Sequence, residues 1–165
     1  MGSKKLTWGI FAVYFLALSW IILFKFQLSF QNLPELRNIN VIPFGSSTIL
    51  NGEIDFSETI CNLLAFVPFG IFIGVLGQRK PFVKMAMPVF LTSLFYETVQ
   101  YIFAIGGSDI TDLIANTLGG ITGIGLFFIL LKAFKEKTYK IINIVSLMAA
   151  VLLIALISLL FLANS

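Results

Sequence analysis

The sequence predicts an all-α membrane protein, a bundle of about five transmembrane helices. First, 58% of the 165 residues are hydrophobic and only 12% are charged, whereas soluble domains carry about 25% charged residues. Second, the hydrophobic residues form five long runs, each of about the length that a helix needs to cross the hydrocarbon of a bilayer. We expect a single transmembrane domain over residues 1–165.

The composition also limits the chemistry that the protein can perform. The chain has no His and one Cys, Cys61. This excludes the common Ser-His and Cys-His catalytic pairs, and it excludes a Cys-rich metal site. Any reaction would have to use carboxylates, amides, hydroxyls, Lys or Arg.

The five hydrophobic runs contain residues that are typical of packed membrane helices. Pro68 and Pro88 lie inside the second and third runs, where neighbouring helices can satisfy the freed backbone groups. Gly70 and Gly74 have the spacing of a small-residue surface at which two helices pack closely. The predicted spans are residues 6–24, 58–78, 85–105, 108–131 and 141–163.

The longest connection, residues 25–57, is not simply hydrophilic. Phe26, Phe30 and Leu33 recur at helical spacing before Pro34, which suits a segment lying in the membrane interface. One hypothesis is that this connection dips into the membrane and covers a site at the outer surface. The alternative is a flexible loop.

The distribution of basic residues predicts the orientation of the chain in the membrane. With five spans, nine Lys and Arg residues fall on one face and only Lys25 and Arg37 on the other. Cytoplasmic loops carry the excess of Lys and Arg, so we expect a cytoplasmic N-terminus and an outer C-terminus. The nine residues are Lys4, Lys5, Arg79, Lys80, Lys84, Lys132, Lys135, Lys137 and Lys140.

Polar residues form stripes on three of the predicted helices. Residues three or four apart share a face of a helix, and in this orientation all three stripes lie in the outer third of the membrane. If the stripes face one another, they form one polar pocket below the outer surface. The stripes are Glu58 and Asn62 on the second helix, Ser93, Glu97 and Gln100 on the third, and Asp109, Asp112 and Asn116 on the fourth.

Each stripe residue also has a structural interpretation. Asp109 is a suitable N-cap for the fourth helix, and Asp112 suits the positive end of the helix dipole. Asn62, Gln100 and Asn116 can form hydrogen bonds between helices, while Gly119 and Gly123 continue the fourth stripe as a close-packing surface. Glu97 begins no helix, and a carboxylate inside a membrane is costly and usually functional.

Four motifs lie in order along the chain: RNINVIPF at 37–44, NLLAFVPFG at 62–70, ETVQ at 97–100 and DITDLIANTLGG at 109–120. Together they resemble the motifs of the VanZ-like family. The resemblance covers about residues 37–130, and the first and fifth spans are generic. Members often carry an Arg just before the Asp-x-x-Asp segment, where this chain has Gly106, Gly107 and Ser108. If the outer loop folds inward, Arg37 is the only outer-face candidate for a counter-ion besides Lys25.

The resemblance implies a role in low-level resistance to teicoplanin, a glycopeptide with a lipid tail, in the bacterial cytoplasmic membrane. It supplies no mechanism and no cofactor. In the first hypothesis the protein is a module that binds or occludes the drug or a cell-wall precursor, with ligand contacts from Arg37, Asn62, Gln100, Asp109 and Asn116. Expected partners are membrane lipids and such a ligand, without nucleic acid.

Two other function classes remain open. One is a membrane-embedded enzyme that acts on a lipid or precursor headgroup, with Glu97 and Asp112 as the catalytic carboxylates. Paired carboxylates can supply an acid and a base. Acidic side chains can also hold Mg²⁺ together with phosphate and water. The other is an ion-coupled permease, which would fit the buried acids and would require oligomerisation in so small a protein.

Overall fold

A computed structural model describes residues 4–24, 38–45, 49–50, 53–54, 56–77 and 80–164, and it confirms the helical bundle. Within these ranges four helices, α1 to α4, are long and apolar enough to cross a membrane. A fifth helix, α5, occupies the last predicted span, whose crossing stays a prediction. The helices are α1 (Lys4–Phe24), α2 (Ser57–Gly77), α3 (Phe82–Phe103), α4 (Ile110–Phe134) and α5 (Lys137–Asn164).

Four short strands accompany the helices. β1 (Ile39–Asn40) pairs in parallel with β4 (Ser108–Asp109), and β2 (Ile49–Leu50) pairs antiparallel with β3 (Glu53–Ile54). Because residues 108 and 109 belong to β4, α4 begins at Ile110, two residues later than predicted. The pairing of β1 with β4 joins the long connection between α1 and α2 to the start of α4.

Contacts between α1 and α3 show that these two helices run in the same direction. Ser19 on α1 is 2.9 Å from the Tyr96 hydroxyl on α3. One turn further along both helices, Gln100 Nε2 donates to the Ile22 carbonyl at 3.0 Å. The two helices therefore end at the same end of the bundle.

The closest helix packing in the bundle joins α2 to α4. A Cβ on Gly119 would overlap the Leu63 carbonyl, and one on Gly123 would overlap the Val67 carbonyl. Because the contact of Gly123 with Val67 lies one turn further along both helices than that of Gly119 with Leu63, α2 and α4 run parallel to each other. Small residues permit such backbone approach, which drives association of membrane helices. The predicted packing role of Gly119 and Gly123 is thus confirmed.

Aromatic side chains fill the space between α1, α2 and α3. Phe66 and Phe69 of α2 are buried with Tyr96 of α3 in one core cluster, and the Phe66 and Tyr96 rings meet edge to face with centroids 6.2 Å apart. Phe11 of α1 packs on Phe69 at 5.8 Å. These rings hold α3 in a fixed position beside α2, which in turn places the polar face of α3 against α4.

Charged residues separate to the two ends of this bundle. We call the end where α2 and α4 begin the acidic end, since it holds Glu58, Glu97, Asp109 and Asp112 and no described Lys or Arg. The opposite end is the basic end; its described basic residues are Lys5, Lys80, Lys84, Lys132, Lys135, Lys137 and Lys140. Only Glu136 is acidic among the described residues there. This separation is what the predicted orientation requires.

The orientation can be tested by thiol labelling in whole cells. Cys61 is exposed, so a Cys61→Ala background removes the native thiol. In that background we expect Asn38→Cys, at the acidic end, to react with an impermeant maleimide added outside, and Lys137→Cys to react only after the membrane is permeabilised. Outside labelling of Lys137→Cys in intact cells would contradict the predicted cytoplasmic N-terminus.

The contact between α2 and α4 can be tested with a matched pair of glycine variants. Gly123→Leu places a side chain against the Val67 carbonyl, whereas a Cβ at Gly125 on the same helix meets nothing within 4 Å. Overpacking costs about 1–3 kcal/mol or more, so we expect Gly123→Leu to lower the thermal midpoint and the monodisperse yield in detergent. Equal behaviour of the two variants would mean that the α2 and α4 backbones do not touch.

Candidate functional site

The start of α4 is built by a carboxylate cap. Asp109 has an extended backbone, with φ −125° and ψ 125°, and its side chain accepts a hydrogen bond from the Thr111 amide at 2.7 Å. Asp is a preferred N-cap because its oxygen satisfies an amide that has no partner within the helix. The predicted capping role of Asp109 is confirmed.

Glu97 lies directly beneath this cap. Its side chain is 3% exposed, and Oε2 accepts a hydrogen bond from the Asp109 amide at 2.7 Å. A charge-assisted bond of this kind is shorter and stronger than one between neutral groups. Glu97 therefore links α3 to the cap of α4, a structural contact that the spacing of the sequence did not reveal.

Residues 38–45 lie over the same cap. The Ser108 amide donates to the Asn38 carbonyl at 2.9 Å, and the Phe44 amide donates to Thr111 Oγ1 at 2.9 Å. These bonds and the pairing of β1 with β4 fix the segment on the start of α4. Of the predicted cover, residues 25–37, 46–48, 51–52 and 55 lie outside the described residues, while residues 38–45 lie over the start of α4.

Asn40 connects this segment to Asp109. Its Nδ2 donates to Asp109 Oδ1 at 3.1 Å and to the Ile42 carbonyl at 2.9 Å, while its Oδ1 accepts from the Ile42 amide at 3.1 Å. An Asn that bonds the backbone two residues on is typical of a turn. The Asn-Val-Ile-Pro pattern at 40–43 is typical of such a turn, but the sequence does not reveal that Asn40 reaches Asp109.

A second polar layer lies one turn deeper between α3 and α4. Asn116 Nδ2 donates to Ser93 Oγ at 3.1 Å, and both side chains are fully buried. Because Ser93 is one turn from Glu97 and Asn116 is one turn from Asp112, this bond places the two acid-bearing faces against each other. Asp112 is 8% exposed, in the first turn of α4 where the helix dipole favours an acid.

Amide oxygens in these layers remain available for further bonds. Asn116 Oδ1 and Gln100 Oε1 are buried and have no hydrogen-bond partner among the residues that the structure describes. Gln100 uses its Nε2 on Ile22 of α1, so its predicted role in joining helices is confirmed. A buried acceptor of this kind suits water or a ligand that donates hydrogen bonds.

Asn62 and Arg37 are the two remaining predicted site residues. Asn62 is half-buried on α2, and within the described part of the chain its side chain forms no hydrogen bond. Arg37 lies outside the described residues. Among the residues that are described, no group of three or more acidic or Cys side chains is arranged to hold a metal ion.

The polar side chains at this end of the bundle form one cluster that is rich in hydrogen-bond acceptors. We call it the polar cluster; it comprises Ser93, Glu97, Gln100, Asp109, Asp112 and Asn116, with Asn40 above it. Two of its carboxylates, on Glu97 and Asp112, are almost fully buried inside an apolar bundle. Such a site can bind a cationic group or a neutral ligand that presents N–H or O–H donors, and it can accept or donate a proton through a carboxyl group.

Two comparisons with known proteins identify relatives of this chain. The sequence model of the family described as VanZ/LLP1 matches residues 11–132. The chain is 36% identical over 156 residues to Protein VanZ of Enterococcus faecium, and this alignment covers 92% of each of the two chains. No solved structure gives a significant match. With its apolar helices and a family match over most of its length, this multi-pass membrane protein belongs to the VanZ/LLP1 family.

Proposed function

We propose that this protein contributes to resistance to teicoplanin-type lipidated glycopeptides, and that it acts at the polar cluster in the outer leaflet of the bacterial cytoplasmic membrane. Two findings support the proposal: the family membership and the 36% identity to Protein VanZ along nearly the whole chain. The structural observation that carries it is the pair of buried carboxylates, Glu97 and Asp112, at one end of a membrane bundle.

The cluster and its surroundings suit an amphiphilic ligand. Next to the buried acceptors, residues 38–45 expose apolar side chains: Val41 is 69% exposed, Ile42 66% and Phe44 50%. A ligand with a polar headgroup and an acyl chain could place donors on the cluster and its chain against this apolar surface. In this proposal Asn62, Gln100, Asp109 and Asn116 contact the ligand, and Arg37 serves as a counter-ion or ligand contact.

The simplest mechanism consistent with these groups is binding without reaction. A module that holds the lipidated drug or a cell-wall precursor in the outer leaflet would lower the amount of drug that reaches its target. Such a mechanism needs only an acceptor-rich cluster and an apolar surface beside it. It would also favour glycopeptides that carry a lipid tail.

The burial of two carboxylates favours one second candidate, a membrane-embedded enzyme that acts on a lipid or precursor headgroup. Glu97 and Asp112 lie on facing helices, and neighbouring carboxyl groups can divide the roles of acid and base. In this alternative one carboxyl group donates a proton to the leaving group while the other activates the attacking group.

Substitution of the acids by amides tests whether their charge is required. Glu97→Gln keeps an oxygen that can accept from the Asp109 amide, and Asp112→Asn keeps the size of the side chain, so both variants should fold. We expect the teicoplanin minimal inhibitory concentration of a susceptible host expressing either variant to fall to the level of the empty vector, with vancomycin sensitivity nearly unchanged throughout. Protein abundance in the membrane must be measured in parallel.

The matched control is Glu58→Gln, which removes an exposed acid from the same end of the bundle. It should retain full protection, because Glu58 lies outside the polar cluster. Full protection by both Glu97→Gln and Asp112→Asn at normal abundance would refute an acid-dependent mechanism. A lipid analysis of the same strains separates the two candidates, since only the enzyme would produce a change in headgroup that depends on both acids.

A further inference from the structure

A groove lies at the opposite, basic end of the molecule, along the first three turns of α3. It has a volume of about 670 Å³, and its lining includes Lys80, Val83, Lys84, Met87, Pro88 and Leu91. These residues recur at spacings of three and four, so they form one stripe of the helix. Neither the polar cluster nor the proposed function involves this stripe.

One end of the groove carries positive charge. Lys80 and Lys84 are exposed there, and neither forms an ion pair with a described acidic residue. The N-cap residue of α3 is Pro81, which supplies no side-chain hydrogen bond, and the amides of the first helical turn carry the positive end of the helix dipole. Lysine side chains and these amides together favour a phosphate group.

The rest of the groove is apolar and continues onto the lipid-facing surface of the bundle. Val83 is 67% exposed, Met87 51% and Leu91 52%. From Lys84 to Leu91 the helix rises about 10 Å, at roughly 1.5 Å per residue. That length corresponds to about two thirds of the hydrocarbon depth of one leaflet, which is roughly 15 Å.

We propose that this groove binds one anionic phospholipid from the leaflet at the basic end. The phosphate lies between Lys80 and Lys84 at the start of α3, and an acyl chain follows Val83, Met87 and Leu91 toward the middle of the membrane. Charge complementarity selects an anionic headgroup over a neutral one. The apolar stripe selects a lipid over a soluble phosphate compound.

Phosphatidylglycerol is the probe for the test, and the protein is the full chain reconstituted in nanodiscs. We compare discs of phosphatidylcholine alone with discs that contain phosphatidylglycerol, and we measure the thermal midpoint and the lipids retained in native mass spectrometry. The wild type should show a higher midpoint and one retained phosphatidylglycerol in the mixed discs. The double variant Lys80→Gln with Lys84→Gln should lose both effects.

The matched control is Lys137→Gln with Lys140→Gln, which removes the same charge from exposed positions at the same end. It should keep the midpoint shift and the retained lipid. Equal losses in the two double variants would overturn the proposal in favour of general attraction between basic residues and an anionic membrane. The proposal would also fail if the wild type showed no dependence on phosphatidylglycerol, or if inorganic phosphate added to phosphatidylcholine discs reproduced the shift.

Discussion

The structure depends above all on the close approach of α2 and α4. Both helices begin at the acidic end, and their backbones meet where Gly119 and Gly123 face the carbonyls of Leu63 and Val67. In lipid there is little hydrophobic force between helices, so association relies on van der Waals packing and on hydrogen bonds. Asn116, one turn before Gly119 on the same face of α4, bonds Ser93 of α3, so this face of α4 contacts both α2 and α3.

The polar cluster follows from the need to satisfy backbone groups inside an apolar environment. The amides of Asp109 and Thr111 lie at the partly buried junction of α3 and α4, where an amide without a hydrogen-bond partner costs free energy. Glu97 and the Asp109 side chain accept hydrogen bonds from these two amides. Glu97 therefore stabilises this turn in addition to the role proposed for it above.

The two ends of the bundle offer different chemistry to the two leaflets. The acidic end concentrates acceptors beneath residues 38–45, whose exposed apolar side chains lie next to the cluster. The basic end exposes lysines beside an apolar groove on α3. Since this asymmetry is fixed by the alternating directions of α1 to α4, a function at one end and lipid binding at the other can coexist without competing for residues.

The sequence by itself determined the helices, their order and the membrane class, because long apolar runs have one stable solution in lipid. It also located Asp109 as a cap and Gly119 and Gly123 as a packing surface, since these are local rules of residue type and spacing. Only the tertiary structure decided that Glu97 bonds the Asp109 amide and that Asn40 reaches Asp109 from 69 residues away. Such contacts depend on how separate segments meet in space, and neither helical periodicity nor local propensity contains that information.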